Sequence, residues 1–238
     1  MTWETVSEKA HGQELPRVYD DWKGIGALTS LPDAALHRDV DKLVLAMSSD
    51  NSDAVKTAIV CPPCIYGPGR GPDNQRSQQV YAAAKSILER KAAFSPLGGE
   101  NIWHEVHVHD LSDLYVLLGE AAVSGGGKAT WNQEGYYFAE NGEFKWKTVF
   151  QRVAAVAKER GWIESDELKG VTEEEIQAIL PSARYQWTSN SRGKAIRARE
   201  LLGWSPKARS LQDEIPDIVE GEARALGLLQ GHAAKVTQ

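Results

Sequence analysis

Apolar positions recur along the chain at two spacings, and the two alternate. Val40, Leu43, Val44 and Met47 stand at helical spacing and predict a helix over 34–48, opened by Pro32-Asp33. The β-branched run Val55–Val60 predicts a short strand, and Gly67 to Pro72 a loop after it. Val80, Ala84, Ile87 and Leu88 form the inward face of a helix over 74–90. Glu105–Val108 reads as a strand. Asp110 then reads as the cap of a helix reaching Val123, with Leu111, Leu114, Leu117 and Leu118 on one face and Ser124-Gly-Gly-Gly127 as its stop. Tyr136–Phe138 predicts another strand, Asn141-Gly142 a turn, and Lys147 to Arg160 a helix. A short acidic helix, Glu173-Glu-Glu-Ile176, lies within 165–180. A helix capped by Ser191 ends at Gly203, and a last one begins at Leu211.

Strands alternating with helices predict an α/β fold in a single domain, 1–238. Residues 1–32, polar and rich in Gly, Pro and Asp, read as irregular. Residues 33–125 carry a sheet-and-helix core, and 126–238 are mostly helical.

Composition narrows the class. At 238 residues one sizeable core is possible. The net charge of −6, with acids and bases interspersed, argues against a nucleic-acid footprint and a polybasic membrane anchor. No apolar run approaches the ~20 residues of a membrane span. Met1-Thr-Trp-Glu-Thr-Val-Ser-Glu-Lys9 has the regions of no signal peptide, so the expected location is cytoplasmic. Two cysteines make no disulfide scaffold.

Three constellations could carry chemistry. His107, His109 and Asp110 form a His-x-His-Asp cluster, the two histidines on one side if the segment is a strand. A metal would need a further ligand, so no metal is expected. Two readings stay open: a histidine bonded to backbone beside a capping aspartate, or acid/base groups in a pocket. Cys61-Pro-Pro-Cys64 has redox spacing but ends a strand instead of opening a helix, which favours packing, with Cys64 a candidate for a pocket wall. Tyr66, Arg70, Asn74 and Arg76 follow that strand, where α/β sheets bind ligands, and with Trp103 they are candidate substrate contacts. His37, Asp39 and Lys42 could border the same cleft.

Four blocks, in order, carry a family resemblance: Cys61-Pro-Pro-Cys-Ile-Tyr-Gly-Pro-Gly69; Val106-His-Val-His-Asp-Leu-Ser-Asp-Leu114; Tyr136-Tyr-Phe-Ala-Glu-Asn-Gly142; and Ala198-Arg-Glu-Leu-Leu-Gly-Trp-Ser-Pro206. They resemble the substrate half of the extended short-chain dehydrogenase/reductase (NAD-dependent epimerase/dehydratase) family, and its fungal secondary-metabolism members in particular. The resemblance implies an incomplete Rossmann-like parallel sheet with flanking helices and a helical C-terminal substrate subdomain.

The departures from that family shape the functional expectation. The residues before Val55 hold no glycine-rich dinucleotide loop, and Gly67, Gly69 and Gly71 lack its spacing. Lys42 matches the lysine of the family's Tyr-x-x-x-Lys, but Arg38 stands for the tyrosine; Tyr81-Ala-Ala-Ala-Lys85 fits the pattern on the wrong helix. Cys64 replaces an asparagine, and Trp103 an arginine that can grip a diphosphate, which implies a flatter, less charged substrate. The expectation is an enzyme without a redox cofactor in a fungal polyketide pathway, closing a lactone or pyrone by acid/base chemistry. His107, His109, Asp110 and Lys42 are its catalytic candidates. The alternatives are an NAD(P)-dependent reductase or epimerase and a non-catalytic binding or scaffold protein. Expected partners are a small-molecule substrate and a second copy in a homodimer, with no nucleic acid and no membrane.

Overall fold

The computed structural model describes residues 11–50 and 54–229. In chain order it forms β1 (Tyr19–Asp20), α1 (Ile25–Thr29), α2 (Arg38–Asp50), β2 (Ile59–Cys61), β3 (Cys64–Tyr66) and α3 (Gln79–Arg90). Next come β4 (Phe94–Pro96), β5 (Ile102–His107), α4 (Val108–Val123), β6 (Tyr136–Phe138), β7 (Glu143–Lys145) and α5 (Trp146–Glu159). The chain closes with β8 (Lys169–Val171), α6 (Glu173–Ile179), α7 (Ala183–Thr188), β9 (Gly193–Lys194), α8 (Arg197–Leu202) and α9 (Leu211–Ala225).

Pairing is parallel except at one edge, as the alternation of strands and helices predicts. β2 runs beside β6, with Ile59 opposite Tyr136 and Cys61 opposite Phe138. After Pro62-Pro63 the chain enters β3, which pairs in parallel with β5, Cys64 facing Glu105 and Tyr66 facing His107. β7 joins β5 antiparallel. The pairs β1–β9 and β4–β8 are parallel and lie apart from these.

Several boundaries differ from the sequence pattern, each for a local reason. The strand expected at Val55–Val60 is β2, which starts at Ile59 because the amide of Thr57 bonds the Asn132 side chain (2.9 Å), leaving the ladder to its successors. The helix expected at 74–90 starts at Gln79: Asn74 accepts from the Arg76 amide (3.0 Å), and Ser77 donates to the Ile65 carbonyl (2.5 Å), which holds the preceding residues in a turn. Asp110 is not the cap of α4. That role belongs to His107, whose extended backbone (φ −71°, ψ 140°) brings its ring nitrogen to the His109 amide. Ser191 caps no helix: its backbone bonds Ile102 and His104 and extends the sheet, and α8 begins at Arg197. The segment expected to be irregular holds β1 and α1 between residues 11 and 32, while residues 1–10 lie outside the described ones.

Two apolar cores result. Helices α3, α5 and α9 enclose Trp146, Phe150, Phe94 and Trp187, whose rings stand edge-on or tilted at 5.0–6.2 Å. The second core lies on the sheet, with Val106, Leu114, Tyr137, Phe138 and Trp204. The apolar stripe that predicts α2 faces solvent instead: Val40, Leu43 and Met47 are 52–67% exposed. Among the described residues no helix is long and apolar enough to cross a membrane.

Candidate functional site

A cavity of about 640 Å³ opens beside the end of β2 and the Pro62-Pro63 turn, a volume suited to a small organic ligand. The start of α2 and the residues from Ser77 to Gln79 form its sides; Trp103, His104, Tyr136 and Ser191 line its floor.

The floor is fixed by backbone. The Ser191 amide donates to the Ile102 carbonyl (3.0 Å), and the His104 amide donates to that of Ser191 (2.9 Å). Asn101 donates to the carbonyls of Trp187 (3.1 Å) and Ser189 (2.6 Å), and the Trp103 indole donates to Ser189 (2.7 Å). The Ser191 hydroxyl lies 3.3 Å from His104 Nε2. Burial pushes the His104 imidazole down to about 3, so at neutral pH it is uncharged. Burial, with the neighbouring Cys61 thiol to which it is hydrogen-bonded, pushes the Tyr136 phenol up. Asp41 lies nearer the mouth, where burial raises its carboxyl above the usual range. His37 stands beside it, exposed.

Of the residues singled out from sequence, Trp103, His37 and Cys61 line this cavity. Lys42 sits at the surface, paired with Asp33 at 3.0 Å. Cys64 is fully buried in β3, where burial raises its thiol, and no disulfide joins it to Cys61. The others gather behind β3, around the start of α4. Tyr66 donates to the Arg209 carbonyl (2.9 Å) and meets the His107 ring edge-on at 5.3 Å. His107 accepts from the His109 amide (3.1 Å) and turns its other nitrogen toward Glu214 (3.6 Å), with burial lowering its basicity. Arg70 donates to His109 (3.1 Å). Asp110 accepts from the amides of Lys207 (2.8 Å) and Ala208 (3.2 Å), tying down the chain before α9. Asn74 shapes its own turn. Arg76 forks onto both carboxylate oxygens of the buried Glu222, bordering a second cavity of about 440 Å³.

This makes His107 a brace for the Tyr-Gly-Pro turn. Gly67 has φ +84°, and a Cβ there would fall 2.2 Å from His107 Nε2. Gly67→Ala adds left-handed strain to a clash with a ring that is 3% exposed. It is expected to lower stability by about 3 kcal/mol in a urea melt; a loss below about 1 kcal/mol would show that the ring can move aside.

Sequence reasoning missed His104, Tyr136 and Ser191. His104 was within reach. Extending the strand from Glu105 back to Ile102 places His104 in the alternation, on the opposite face from His107. Ser191 offers no local signal, because only its pairing with β5, far away in sequence, brings it to the floor.

No protein-family model matches the chain. It is 30% identical over 235 residues to the oxidase ucsJ of an Acremonium species, a match that covers 96% of this chain and 68% of that protein. Among solved structures it resembles the UDP-glucose 4-epimerase of Thermotoga maritima with UDP-glucose, at 17% identity and a TM-score of 0.57, covering 91% of this chain and 61% of that one. It also resembles a dTDP-glucose 4,6-dehydratase double mutant of Streptomyces venezuelae with NAD and DAU bound (13% identity, TM-score 0.59), covering 90% of this chain and 57% of that one. The chain thus spans about three fifths of the length of these two structures. At such identities they show a shared Rossmann-like fold.

Proposed function

We propose, on the premise that the chain belongs to the extended short-chain dehydrogenase/reductase (NAD-dependent epimerase/dehydratase) family, that its cavity binds an uncharged, flat small molecule and moves protons on it. The observation that carries this reading is the lining. Among the described residues it includes Trp103, Tyr136 and the uncharged His104 but no lysine or arginine. A nucleotide diphosphate sugar would bring two negative charges into a wall with no lysine or arginine to receive them, which costs several kcal/mol. A carbonyl compound with an aromatic or polyene face would pack against Pro62, Pro63 and the exposed Tyr185 ring and accept hydrogen bonds from polar groups of the lining.

The reaction this favours is enolisation followed by ring closure, such as lactone or pyrone formation on a polyketide of fungal secondary metabolism. Proton transfer and orientation suffice for it, without a redox cofactor. The fungal relative supports the metabolic setting. A second reading, oxidation with a nicotinamide cofactor, is favoured by that relative's being named an oxidase and by the NAD in the dehydratase structure.

Thermal shift separates the two. β-Tetralone, a neutral aromatic ketone, is expected to raise the melting temperature, while UDP-glucose, NAD(H) and NADP(H) leave it unchanged. A shift with a nicotinamide nucleotide and none with the ketone would transfer the protein to the second reading.

A further inference from the structure

We propose that His37 and Asp41, at the start of α2, are the acid/base pair of the cavity; this rests on the proton-transfer reading above. Both residues line the cavity. They stand four apart across the helix start, and the His37 carbonyl accepts the Asp41 amide at 3.0 Å.

The register of the helix explains why this pair, and not its neighbours, faces the cavity. Arg38 is 9% exposed and donates from Nε to the Leu31 carbonyl (2.9 Å) and from a terminal nitrogen to that of Thr29 (2.5 Å). Lys42 is drawn to Asp33 at the surface. The two cations with the four-residue spacing of a catalytic pair are therefore both engaged elsewhere. Arg38 pins the helix so that the residues one step earlier, His37 and Asp41, take the cavity side.

The backbone at His37 is the second observation. Its φ is +63°, in the left-handed region that suits glycine, yet the position carries an imidazole. The ring is exposed at the mouth, so no core packing offsets that conformation. Strain of this kind persists where the surroundings fix it, and it clusters at working sites. Asp41 supplies the base: burial raises its carboxyl above the usual carboxylate range, which strengthens it as a proton acceptor, and the charges of Arg38 and His37 oppose that rise. The buried His104 is too weak a base for the task and serves instead to hold the substrate with Ser191.

The step is an enolisation. A C–H bond beside the substrate carbonyl breaks, and its proton passes to the Asp41 carboxylate. The electron pair moves to the carbonyl oxygen, which takes a proton from the His37 imidazolium. Carboxylic acid and neutral imidazole then stand at the cavity, and the reverse transfers restore both. No oxidant or reductant is consumed.

Exchange of the α-protons of β-tetralone in deuterated water, followed by NMR, tests the pair beside a fluorescence measurement of ketone binding. His37→Gly suits the backbone, so it should fold at least as well as the wild type. It is expected to slow exchange ~100-fold with binding unchanged, and added imidazole should restore part of the rate. Asp41→Asn should slow exchange by roughly 100-fold as well. If the wild-type protein does not bind the ketone, the reading of the cavity falls, and the pair with it. If it binds and the variants exchange like the wild type, or the His37→Gly loss is not rescued by imidazole, the pair is overturned while the cavity reading stands.

Discussion

Replacing Asp21 with alanine is expected to lower stability by about 4 kcal/mol, because three backbone amides lose their acceptor at once and the buried Arg197 loses a neighbouring opposite charge. Asp21 is fully buried. One carboxylate oxygen accepts from the amides of Ile196 (2.8 Å) and Arg197 (2.9 Å), the other from the amide of Phe138 (2.9 Å). It thereby joins the β1 segment to the end of β6 and the start of α8. Arg197 is 3% exposed; it donates to the Asp21 carbonyl (2.8 Å), Thr130 (2.7 Å) and Glu134 (3.0 Å). The amides of Phe138 and Arg197 are buried, and an unmet buried donor costs about 1–3 kcal/mol. Asp21→Asn keeps the shape and one acceptor, so about half the loss is expected. Urea melts of the two variants decide the matter. If Asp21→Ala lost less than about 1 kcal/mol, the amides would have other partners and the junction would not hold the fold.

That junction was invisible in the sequence, and the reason is physical. Asp21 lies in a polar stretch with no periodicity, and its partners stand more than a hundred residues away. Elements held by their own spacing were legible: α3, α5, α9 and the strand Tyr136–Phe138 are where the apolar pattern puts them, to within a few residues. The family blocks were legible too, because each combines a strand end with a turn. Elements held by distant pairing were not. β4, β8 and β9 have three residues or fewer, and nothing local separates them from loop. The site divides the same way. Trp103 lines the cavity at a position that the family resemblance marks, whereas the His107 cluster has the composition of a catalytic group and the contacts of a scaffold. A histidine that caps a helix and one that faces a ligand differ only in what the fold places around them.

Glu105→Gln is expected to raise stability by about 3 kcal/mol near pH 8 and to change nothing near pH 4. The cause is burial, reinforced by the neighbouring Glu140, which pushes the Glu105 carboxyl from 4.5 up to about 7. Glu140 is committed elsewhere: it accepts from the amides of Gly142 (2.9 Å) and Ala195 (3.1 Å) and lies 3.7 Å from Arg199. Among the described residues no cation pairs with Glu105. The native state therefore holds a proton that the unfolded chain has lost, and native stability falls as pH rises from 4.5 to about 7, then levels off. A shift of that size is worth roughly 3 kcal/mol. His104 acts in the opposite sense. Its native imidazole resists protonation from 6.5 down to about 3, so stability falls as pH drops through that window. Between 4.5 and 6.5 the two slopes oppose each other, and the wild-type profile should be nearly flat. Removing the carboxylate leaves the histidine slope alone, so Glu105→Gln should gain stability steadily as pH rises to 6.5. Urea melts of both proteins from pH 4 to pH 8 read this directly. A difference of equal size at both ends would assign the effect to packing and remove the ionisation of Glu105 from the account.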